Sequence, residues 1–271
     1  MNSSKSLNLQ SVQGTMLIPL WGRAKYSKPY SHILEDKDAI EIINKQSFDF
    51  SGIEKTFGDF SGLCYITRAR KMEDAVRNFI AKHPKATIVN IGSGLDTGFS
   101  RVDNGQIHWY NLDLPDAIAY RKTLLPDSDR NISVAKSLLD ESWFDDIYYD
   151  KSKGIMFISG GVFYYFKEEQ LKPIFTAMAR RFPGSELYFD AESKGAVEKS
   201  NEMVRKTGNA GAQMYFYVNN SKMIKNWTPG IREVTIEPYF KGLPFKDSFK
   251  LRMQRILMDK FGLMKFVHIK F

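Results

Sequence analysis

The sequence predicts an α/β fold in which a doubly wound sheet of parallel strands carries helices on both faces. Short apolar segments rich in β-branched and aromatic residues recur through the middle of the 271-residue chain, as expected for strands covered on both sides. Segments with apolar residues at helical spacing lie between them, and this alternation is typical of parallel sheets. The first of the strands runs into glycines, which is where such sheets bind ligands.

Five segments are predicted to form the parallel strands. In chain order they are ATIVNIG (86–92), QIHWYNLDLP (106–115), NISVAKS (131–137), KGIMFISGG (153–161) and SELYFDAES (185–193). Two later segments, VTIEPYF (234–240) and LMKFVHIKF (263–271), alternate apolar and polar residues and also predict strands. The last segment is expected to lie at the edge of the sheet.

Helices are predicted before, between and after these strands. The segments with helical spacing are 36–46, 64–84, 114–126, 167–182 and 192–207. In the second of them the apolar residues form a single stripe, and Pro84 ends the segment. A helical region therefore precedes the sheet.

Composition and charge exclude several classes of protein. Hydrophobic residues make up 43% and charged residues 26% of the chain, as in ordinary soluble proteins. No segment has the ~18 uncharged apolar residues of a membrane span, and the N-terminus lacks the apolar core of a secretory signal. The net charge of +8 is spread along the chain with no basic block, so nucleic acid is not an expected partner. Because no spanning segment is found, no membrane partner is expected either.

Cysteine and histidine usage narrows the possibilities further. Cys64 is the only cysteine, so an intrachain disulfide is impossible and a reducing, cytoplasmic location is expected. The four histidines show no ligand spacing, and no metal site is expected. The absence of a G-x-S-x-G motif argues against a serine hydrolase.

The loop IGSGLDTG (91–98) is the first candidate site. Gly92 and Gly94 follow a predicted strand and precede a predicted helix, where glycines allow close approach of a ligand to the backbone. Dinucleotide loops have the spacing G-x-G-x-x-G, but here Gly98 comes one residue late. No lysine follows as in a P-loop. Pyrophosphate and triphosphate ligands are therefore disfavoured.

Asp113 lies at the end of the second strand, about 20 residues beyond the glycines, where a carboxylate binds the hydroxyls of a ribose. The alternative is that Asp113 caps the helix that starts near Pro115, but a cap would stand directly before that proline. A ribose-binding acid without a grip on pyrophosphate indicates S-adenosylmethionine as the cofactor.

Several ordered motifs resemble the leucine carboxyl methyltransferase family, and specifically its bacterial branch of polyketide O-methyltransferases. They are MLIPLWGRA (16–24), RARKMEDAVRNFI (68–80), IVNIGSGLDTGFSRVDNGQIHWYNLDLPDAIAYRKTLLP (88–126), LLDESWFDDI (138–147), GGVFYYFKEEQLKPIF (160–175) and FPGSELYFD (182–190). The resemblance implies a class I methyltransferase, Rossmann-like fold: a mostly parallel seven-stranded sheet, its last strand antiparallel, with an N-terminal helical lid. It also implies one methyltransferase domain over 1–271, divided into the lid (1–84), the cofactor-binding core (85–191) and C-terminal helices and closing strands (192–271).

The resemblance also assigns roles to particular residues. Arg68 would bind the methionyl carboxylate, Gly92, Ser93 and Gly94 would lie against the methionine, and Asp113, followed by Leu114, would bind the ribose. Ser137 and Leu138 would flank the adenine, and Gly160 would lie near the methionyl amine. The chain departs from the family at Gly98, Ser137 and Gly160, where Arg, Asp and Glu are common. Losing an acid beside the amine would weaken cofactor binding by ~1.5–3 kcal/mol unless Asp96 or another acid replaces it.

The expected substrate is a small methyl acceptor that is aromatic or carries a carboxylate. Tyr164, at the end of the fourth strand, and Trp21, Arg23 and Tyr30, in the lid, are the candidate acceptor contacts. A phenol would benefit from a general base, for which Asp190 and His32 are candidates, whereas a carboxylate needs none. Two alternatives stay open: methylation of a protein's C-terminal carboxylate, and a regulatory protein that binds the cofactor with impaired catalysis.

Overall fold

A computed structural model describes residues 5–6, 12–45, 48–51, 54, 58–207 and 213–271. Its central feature is a seven-stranded sheet. The strands of this sheet are β3 (Thr87–Ile91), β4 (His108–Asp113), β5 (Asn131–Ala135), β6 (Ile155–Ser159), β7 (Glu186–Glu192), β8 (Glu233–Pro238) and β9 (Met264–Lys270). Two short strands outside it, β1 (Lys5–Ser6) and β2 (Phe48–Asp49), pair with each other.

The strand order is β5-β4-β3-β6-β7-β9-β8. The first five strands are parallel to one another, and β9 runs antiparallel to both β7 and β8. Successive strands after β3 are added on one side of it, as β4 and then β5. From β6 onward they are added on the other side of β3, so the order of the strands reverses between β3 and β6. Loops after β3 and β6 therefore meet at the carboxyl edge, where such sheets bind ligands. The predicted fold class is confirmed.

The expectation that 263–271 forms an edge strand is wrong. β9 lies between β7 and β8, pairs with both, and buries Phe266, Val267 and Ile269. The edge position belongs to β8, whose residues alternate between exposed and half-buried. An antiparallel strand inserted between two others cannot be read from local alternation, because alternation reports the faces of a strand and not its neighbours.

The helices cover both faces and the carboxyl edge of the sheet. They are α1 (Val12–Ser27), α2 (Lys37–Lys45), α3 (Asp59–Ile80), α4 (Phe99–Val102), α5 (Pro115–Leu124), α6 (Glu168–Arg181), α7 (Lys194–Thr207), α8 (Lys222–Lys225) and α9 (Phe249–Lys260), with 3₁₀ turns at Glu141–Asp145 and Phe163–Tyr165. No described helix combines the length and the apolar character of a membrane span.

Alternating strand residues build a separate core on each side of the sheet. Ile88 and Met156 pack with the apolar stripe of α3, which includes Ile66 and Val76. The next residues along the same two strands, Val89 and Phe157, point the other way into a core that contains the buried residues Leu171, Phe175 and Met178 of α6. The period of two within β3 and β6 thus fixes which helix covers which face.

Candidate active site

The glycine loop between β3 and α4 has a backbone that only glycine adopts readily. Gly92 and Gly94 have positive φ angles of 64° and 46°, in the left-handed region that disfavours other residues. A Cβ on Gly92 would also stand 2.4 Å from Cγ2 of Val162, and one on Gly94 would face Met16 of α1 at 3.7 Å. The loop is therefore pressed between the end of β6 and the N-terminal helices.

Asp113 holds this loop from the neighbouring strand. Its Oδ2 accepts a hydrogen bond from the Gly94 N–H at 2.8 Å, and its Oδ1 accepts one from the Leu114 N–H at 2.8 Å. Burial raises the pKa of the Asp113 carboxyl, and these two donors counter the rise only in part. Helix α5 begins at Pro115, and its N-cap residue is Leu114, which has no side-chain capping hydrogen bond. Asp113 therefore does not occupy the N-cap position of α5.

Arg121 of α5 donates hydrogen bonds to the glycine loop, a role that was not predicted from the sequence. Its Nη1 donates to the backbone carbonyls of Gly94 at 2.9 Å and Asp96 at 2.8 Å. The residue is 2% exposed, although an arginine near the end of an amphipathic helix ordinarily points to solvent. No local signal distinguishes it, because its partners are backbone atoms more than twenty residues away.

Ser93 supplies an unpaired polar atom inside the loop. Its Oγ is buried without a hydrogen-bond partner among the described residues, which costs free energy unless a ligand pairs with it. Together with the positive-φ glycines and the Asp113 carboxylate, it gives the loop the donors and acceptors that an amino-acid and ribose portion of a cofactor requires. The residues present fit S-adenosylmethionine.

Arg68 reaches the carboxyl end of the sheet from α3 and forms a buried ion pair with Asp190 of β7. Nε donates to Asp190 Oδ2 at 2.8 Å and Nη2 donates to the Tyr164 hydroxyl at 3.2 Å, while Asp190 Oδ1 accepts from the Gly161 N–H at 2.7 Å. Burial lowers the pKa of the guanidinium, but Asp190 and the neighbouring tyrosines together more than offset this and raise the pKa of Arg68 well above its usual value. A permanently charged cation therefore lies beside the end of β6.

Two glycines make room for this arginine. A Cβ at Gly160 would lie 3.0 Å from Cδ of Arg68, and one at Gly161 would lie 2.7 Å from Nη1. A side chain larger than glycine at either position would therefore meet Arg68, and the carboxylate that Arg68 contacts is that of Asp190. Asp96, the replacement considered from the sequence, uses Oδ1 to accept from the Gly98 N–H within its own loop.

Aromatic side chains stand next to Arg68 at the end of β6. The ring of Tyr164 is buried and meets the ring of Tyr165 at 5.0 Å between centroids. Tyr165 is 42% exposed and Tyr215 is 43% exposed. The backbone N–H of Tyr215 donates to the Tyr164 carbonyl at 2.6 Å. Tyr165 thus offers exposed aromatic surface one residue from Tyr164, the tyrosine that contacts the buried cation.

The adenine side of the predicted site lies at the end of β5. Ser137 Oγ accepts from the Leu139 N–H at 3.2 Å, so its side chain shapes the turn. Leu138 is buried, and its carbonyl accepts from Nε1 of Trp143 at 3.1 Å. Leu114, which follows Asp113, is 47% exposed, leaving an apolar side chain free at the neighbouring strand end.

The three lid candidates Trp21, Arg23 and Tyr30 are buried within the protein. Arg23 donates from Nε to Asp36 at 2.7 Å and from Nη2 to the Leu95 carbonyl at 2.8 Å. Tyr30 packs against Tyr26 and Phe245. The structure gives Arg23 a role in attaching α1 to the glycine loop.

Asp36 is the centre of a buried ionic cluster that the sequence did not reveal. It is fully buried and also accepts from the Thr97 hydroxyl at 2.7 Å and pairs with Arg101 at 2.7 Å. Burial alone would raise its pKa, but the two arginines together with the hydrogen bonds from Thr97 and the Ala39 N–H outweigh burial and lower it. Arg101 continues to Glu73 of α3 at 2.7 Å, so one carboxylate links α1, α4 and, through Arg101, α3.

The two candidate bases differ in their surroundings. Asp190 is bonded by Arg68 and the Gly161 N–H, so its carboxylate is already engaged. His32 lies within hydrogen-bonding distance, 3.1 Å, of the Pro244 carbonyl on the exposed side of the N-terminal region. Neither contact leads to the glycine loop. Among the described residues, no group of three or more histidine, cysteine or acidic side chains could hold a metal ion.

Known proteins resemble this chain over most of its length. The family model for leucine carboxyl methyltransferase matches residues 17–179. Tetracenomycin polyketide synthesis O-methyltransferase TcmP of Streptomyces glaucescens is 26% identical over 231 residues, covering 84% of this chain and 83% of that protein. S-adenosyl-L-methionine-dependent methyltransferase dpfgK of Gibberella zeae is 21% identical over 244 residues, covering 83% and 82%.

Solved structures share the fold at low identity. A DUF574 family protein of Streptomyces avermitilis has a TM-score of 0.59 at 14% identity, covering 92% of this chain and 96% of its own. The plantazolicin methyltransferase BpumL, crystallised with a triazolic desmethylPZN analog and SAH, has a TM-score of 0.50 at 13% identity, covering 95% and 98%. Because the family model spans more than half of the chain, the protein belongs to the leucine carboxyl methyltransferase family and is a methyltransferase.

Proposed function

We propose that this S-adenosylmethionine-dependent methyltransferase transfers a methyl group to an oxygen of a small molecule that is aromatic or carries a carboxylate. The observation that carries the proposal is the arrangement at the end of β6, where the exposed ring of Tyr165 packs on Tyr164, whose hydroxyl accepts a hydrogen bond from the buried cation of Arg68. Aromatic rings stack on such surface, and the cation favours an acceptor with negative charge nearby. The relative TcmP is named for O-methylation in polyketide synthesis, which supports the same class.

The cofactor residues proposed are those that the carboxyl edge brings together. Asp113 would accept hydrogen bonds from the ribose hydroxyls, and the Ser93 hydroxyl and the N–H groups of the glycine loop would contact the methionine portion. Arg68 would bind the methionyl carboxylate while keeping its bond to Asp190. Ser137, Leu138 and Leu114 would line the adenine, and Gly160 would lie near the amino group.

When bound, S-adenosylmethionine supplies an electrophilic methyl group on a sulfonium centre. The chain's own part is to align an acceptor oxygen with that methyl group and to exclude water, since alignment can supply much of the rate of such a displacement. Met16 of α1 lies next to Gly94, so the N-terminal helices cover the loop. A carboxylate acceptor would need no proton removed, whereas a phenol would lose its proton to a base.

Transfer of labelled methyl from S-adenosylmethionine to a panel of acceptors tests the proposal. The panel pairs aromatic carboxylic acids with their methyl esters and with phenols of similar size, and a peptide with a free C-terminal leucine serves as the protein-type acceptor. We expect label on a small aromatic acid or phenol. Label on the peptide alone would replace the small-molecule acceptor with a protein terminus. Binding of S-adenosylhomocysteine without transfer to any member would favour a regulatory protein.

A further inference from the structure

Helix α9, inserted between β8 and β9, exposes a row of large apolar side chains. Phe249 is 79% exposed and Phe261, just beyond the helix, is 64% exposed. Between them Met253, Ile256 and Leu257 are exposed at helical spacing, on the side turned away from the protein. Large exposed apolar faces on soluble proteins mark interaction sites, and five such side chains form a continuous stripe along the whole helix.

The polar residues around this stripe are almost all cations. Five exposed basic residues lie in 241–261, a stretch that the structure describes completely, and three of them are on the helix itself: Lys241, Lys246, Lys250, Arg252 and Lys260. None of the five pairs with an acid among the described residues. The two acids of the stretch are turned inward: Asp247 pairs with Arg255 at 2.6 Å, and Asp259 accepts from the Phe240 N–H at 3.0 Å.

This charge distribution discriminates between two possible partners for the apolar stripe, a second copy of the chain and an anionic surface. A second copy docked through a two-fold axis would pack α9 against itself. This would bring the exposed cations Lys250, Arg252 and Lys260 of both copies into one interface with no exposed carboxylate on the helix to compensate, and like charges across an interface are unfavourable. An anionic surface pairs with every exposed cation while the apolar row inserts, which is how amphipathic helices bind membrane interfaces.

We infer that α9 docks the protein on an anionic lipid surface, with its apolar stripe in the interface and its cations at the headgroups. The position of the helix fits this use. Immediately after α9, the Leu263 carbonyl accepts from the Ser193 N–H at the carboxyl end of β7. The C-terminal end of α9 therefore lies at the same edge of the sheet as Asp190, where the site is built. The expectation of no membrane partner rested on the lack of a spanning segment, which does not bear on peripheral binding.

Sedimentation of the full-length protein with vesicles tests this inference. The probes are vesicles of phosphatidylcholine mixed with phosphatidylglycerol and vesicles of phosphatidylcholine alone. We expect binding to the first, weakening as salt is added because screening removes the headgroup attraction. Ile256→Glu should lower the partition coefficient roughly ten-fold, because it places a charge within the inserted row. Gln106→Glu, which adds the same charge at an exposed site elsewhere, should leave it within about two-fold.

Charge removal provides an independent arm. The pair Arg252→Gln with Lys260→Gln should lower binding to the anionic vesicles roughly ten-fold or more, since each cation near the surface contributes about 1 kcal/mol. Removing the two exposed lysines Lys151 and Lys172 in the same way should have little effect. Unchanged melting temperatures would show that all variants fold. Failure to bind anionic vesicles, or equal binding to both vesicle types, would overturn the inference. So would a dimer, seen by light scattering, that Ile256→Glu dissociates in the absence of lipid.

Discussion

At the scale of single residues, the assignment of the cofactor depends most on Asp113. Its two oxygens each accept one backbone hydrogen bond, and each retains a lone pair for a ribose hydroxyl. Asp113→Ala should therefore weaken binding of S-adenosylhomocysteine by about 1.5–3 kcal/mol, the range for hydrogen bonds to a charged group. Isothermal calorimetry measures the change, with Asp116→Ala on the exposed first turn of α5 as the control. Unchanged affinity in a folded Asp113 variant would exclude the ribose role.

The raised pKa of Asp113 makes cofactor binding sensitive to acid. Burial favours the protonated form of this carboxyl, and protonation removes an acceptor from the ribose. The affinity for S-adenosylhomocysteine should have its full value at pH values above the pKa of Asp113 and should fall as the pH drops through that pKa. This fall should begin at a higher pH than an ordinary aspartate, with a pKa near ~3.9, would give. An affinity profile over mildly acidic pH checks this, and the fall should be absent from Asp113→Asn.

Arg68 and Arg70 provide a matched pair on one helix. Arg68 is buried against Asp190, while Arg70 is more exposed and pairs with Asp74 one turn away. Arg68→Ala should weaken binding of S-adenosylhomocysteine by about 1.5–3 kcal/mol, whereas Arg70→Ala should change it by less than about 0.5 kcal/mol. Calorimetric titrations of both variants measure the difference.

Loss of Arg68 also leaves Asp190 buried without its cation, so stability needs a separate control. Melting temperatures identify a variant that has unfolded, and Arg68→Lys keeps the charge while losing the second hydrogen bond. We expect the lysine variant to fold and to bind with intermediate affinity. Loss of binding in the Arg70 variant with the Arg68 variants unaffected would reverse the assignment, and no effect in any of them would remove α3 from the cofactor site.

At the scale of elements, the buried carboxylate of Asp36 holds the N-terminal helices against the glycine loop. Asp36→Asn should lower the free energy of unfolding by about 3–5 kcal/mol, because Arg23 and Arg101 would lose a buried partner. Urea denaturation measures this, with Glu41→Gln, from an exposed pair on α2, as a control expected to change little. The lowered pKa of Asp36 means that its contribution is present above the unfolded value near ~3.9 and is lost as the pH falls through the folded value. An unchanged unfolding free energy in Asp36→Asn would contradict this role.

The sheet strands and α3 were predictable because each carries a local signal. The parallel strands are short apolar segments, and α3 has apolar residues at helical spacing. ATIVNIG and KGIMFISGG lie within a residue or two of β3 and β6. Helix α1 was not predicted, since Gly14, Pro19 and Gly22 interrupt its pattern and burial against its neighbours stabilises it instead. Helix α9 was also missed, because its exposed face is apolar and the usual contrast between a buried and a polar face is absent.

The predicted site residues divide by the same logic. Gly92, Gly94 and Asp113 follow strands whose ends could be located, so their proximity could be derived. The tie from Arg121 to the loop carbonyls and the cluster around Asp36 could not, because their partners are distant in sequence and carry no motif. Arg68 could be selected over Arg70 only through the family resemblance, and its contact with Asp190 spans 122 residues.

At the scale of the whole molecule, the carboxyl edge of the sheet collects side chains and loops from α1, α3, β3, β4, β6 and β7. A ligand bound there contacts several of these elements, so binding should stabilise the folded state, and the gain should rise with the logarithm of the ligand concentration above the dissociation constant. The choice of ligand follows from the glycine loop, whose third glycine, Gly98, is displaced from the dinucleotide spacing, and from Asp113 and the unpaired Ser93 hydroxyl.

Titration of the full chain with S-adenosylhomocysteine and, separately, with NAD discriminates most directly between the two kinds of adenosine cofactor. Calorimetry gives the affinities, and the melting temperature gives an independent readout on the same samples. We expect saturable heat and a rise in melting temperature with S-adenosylhomocysteine, and neither with NAD. Saturable binding of NAD, with no heat and no thermal shift from S-adenosylhomocysteine, would contradict the assignment of this site to a methyl-donor cofactor.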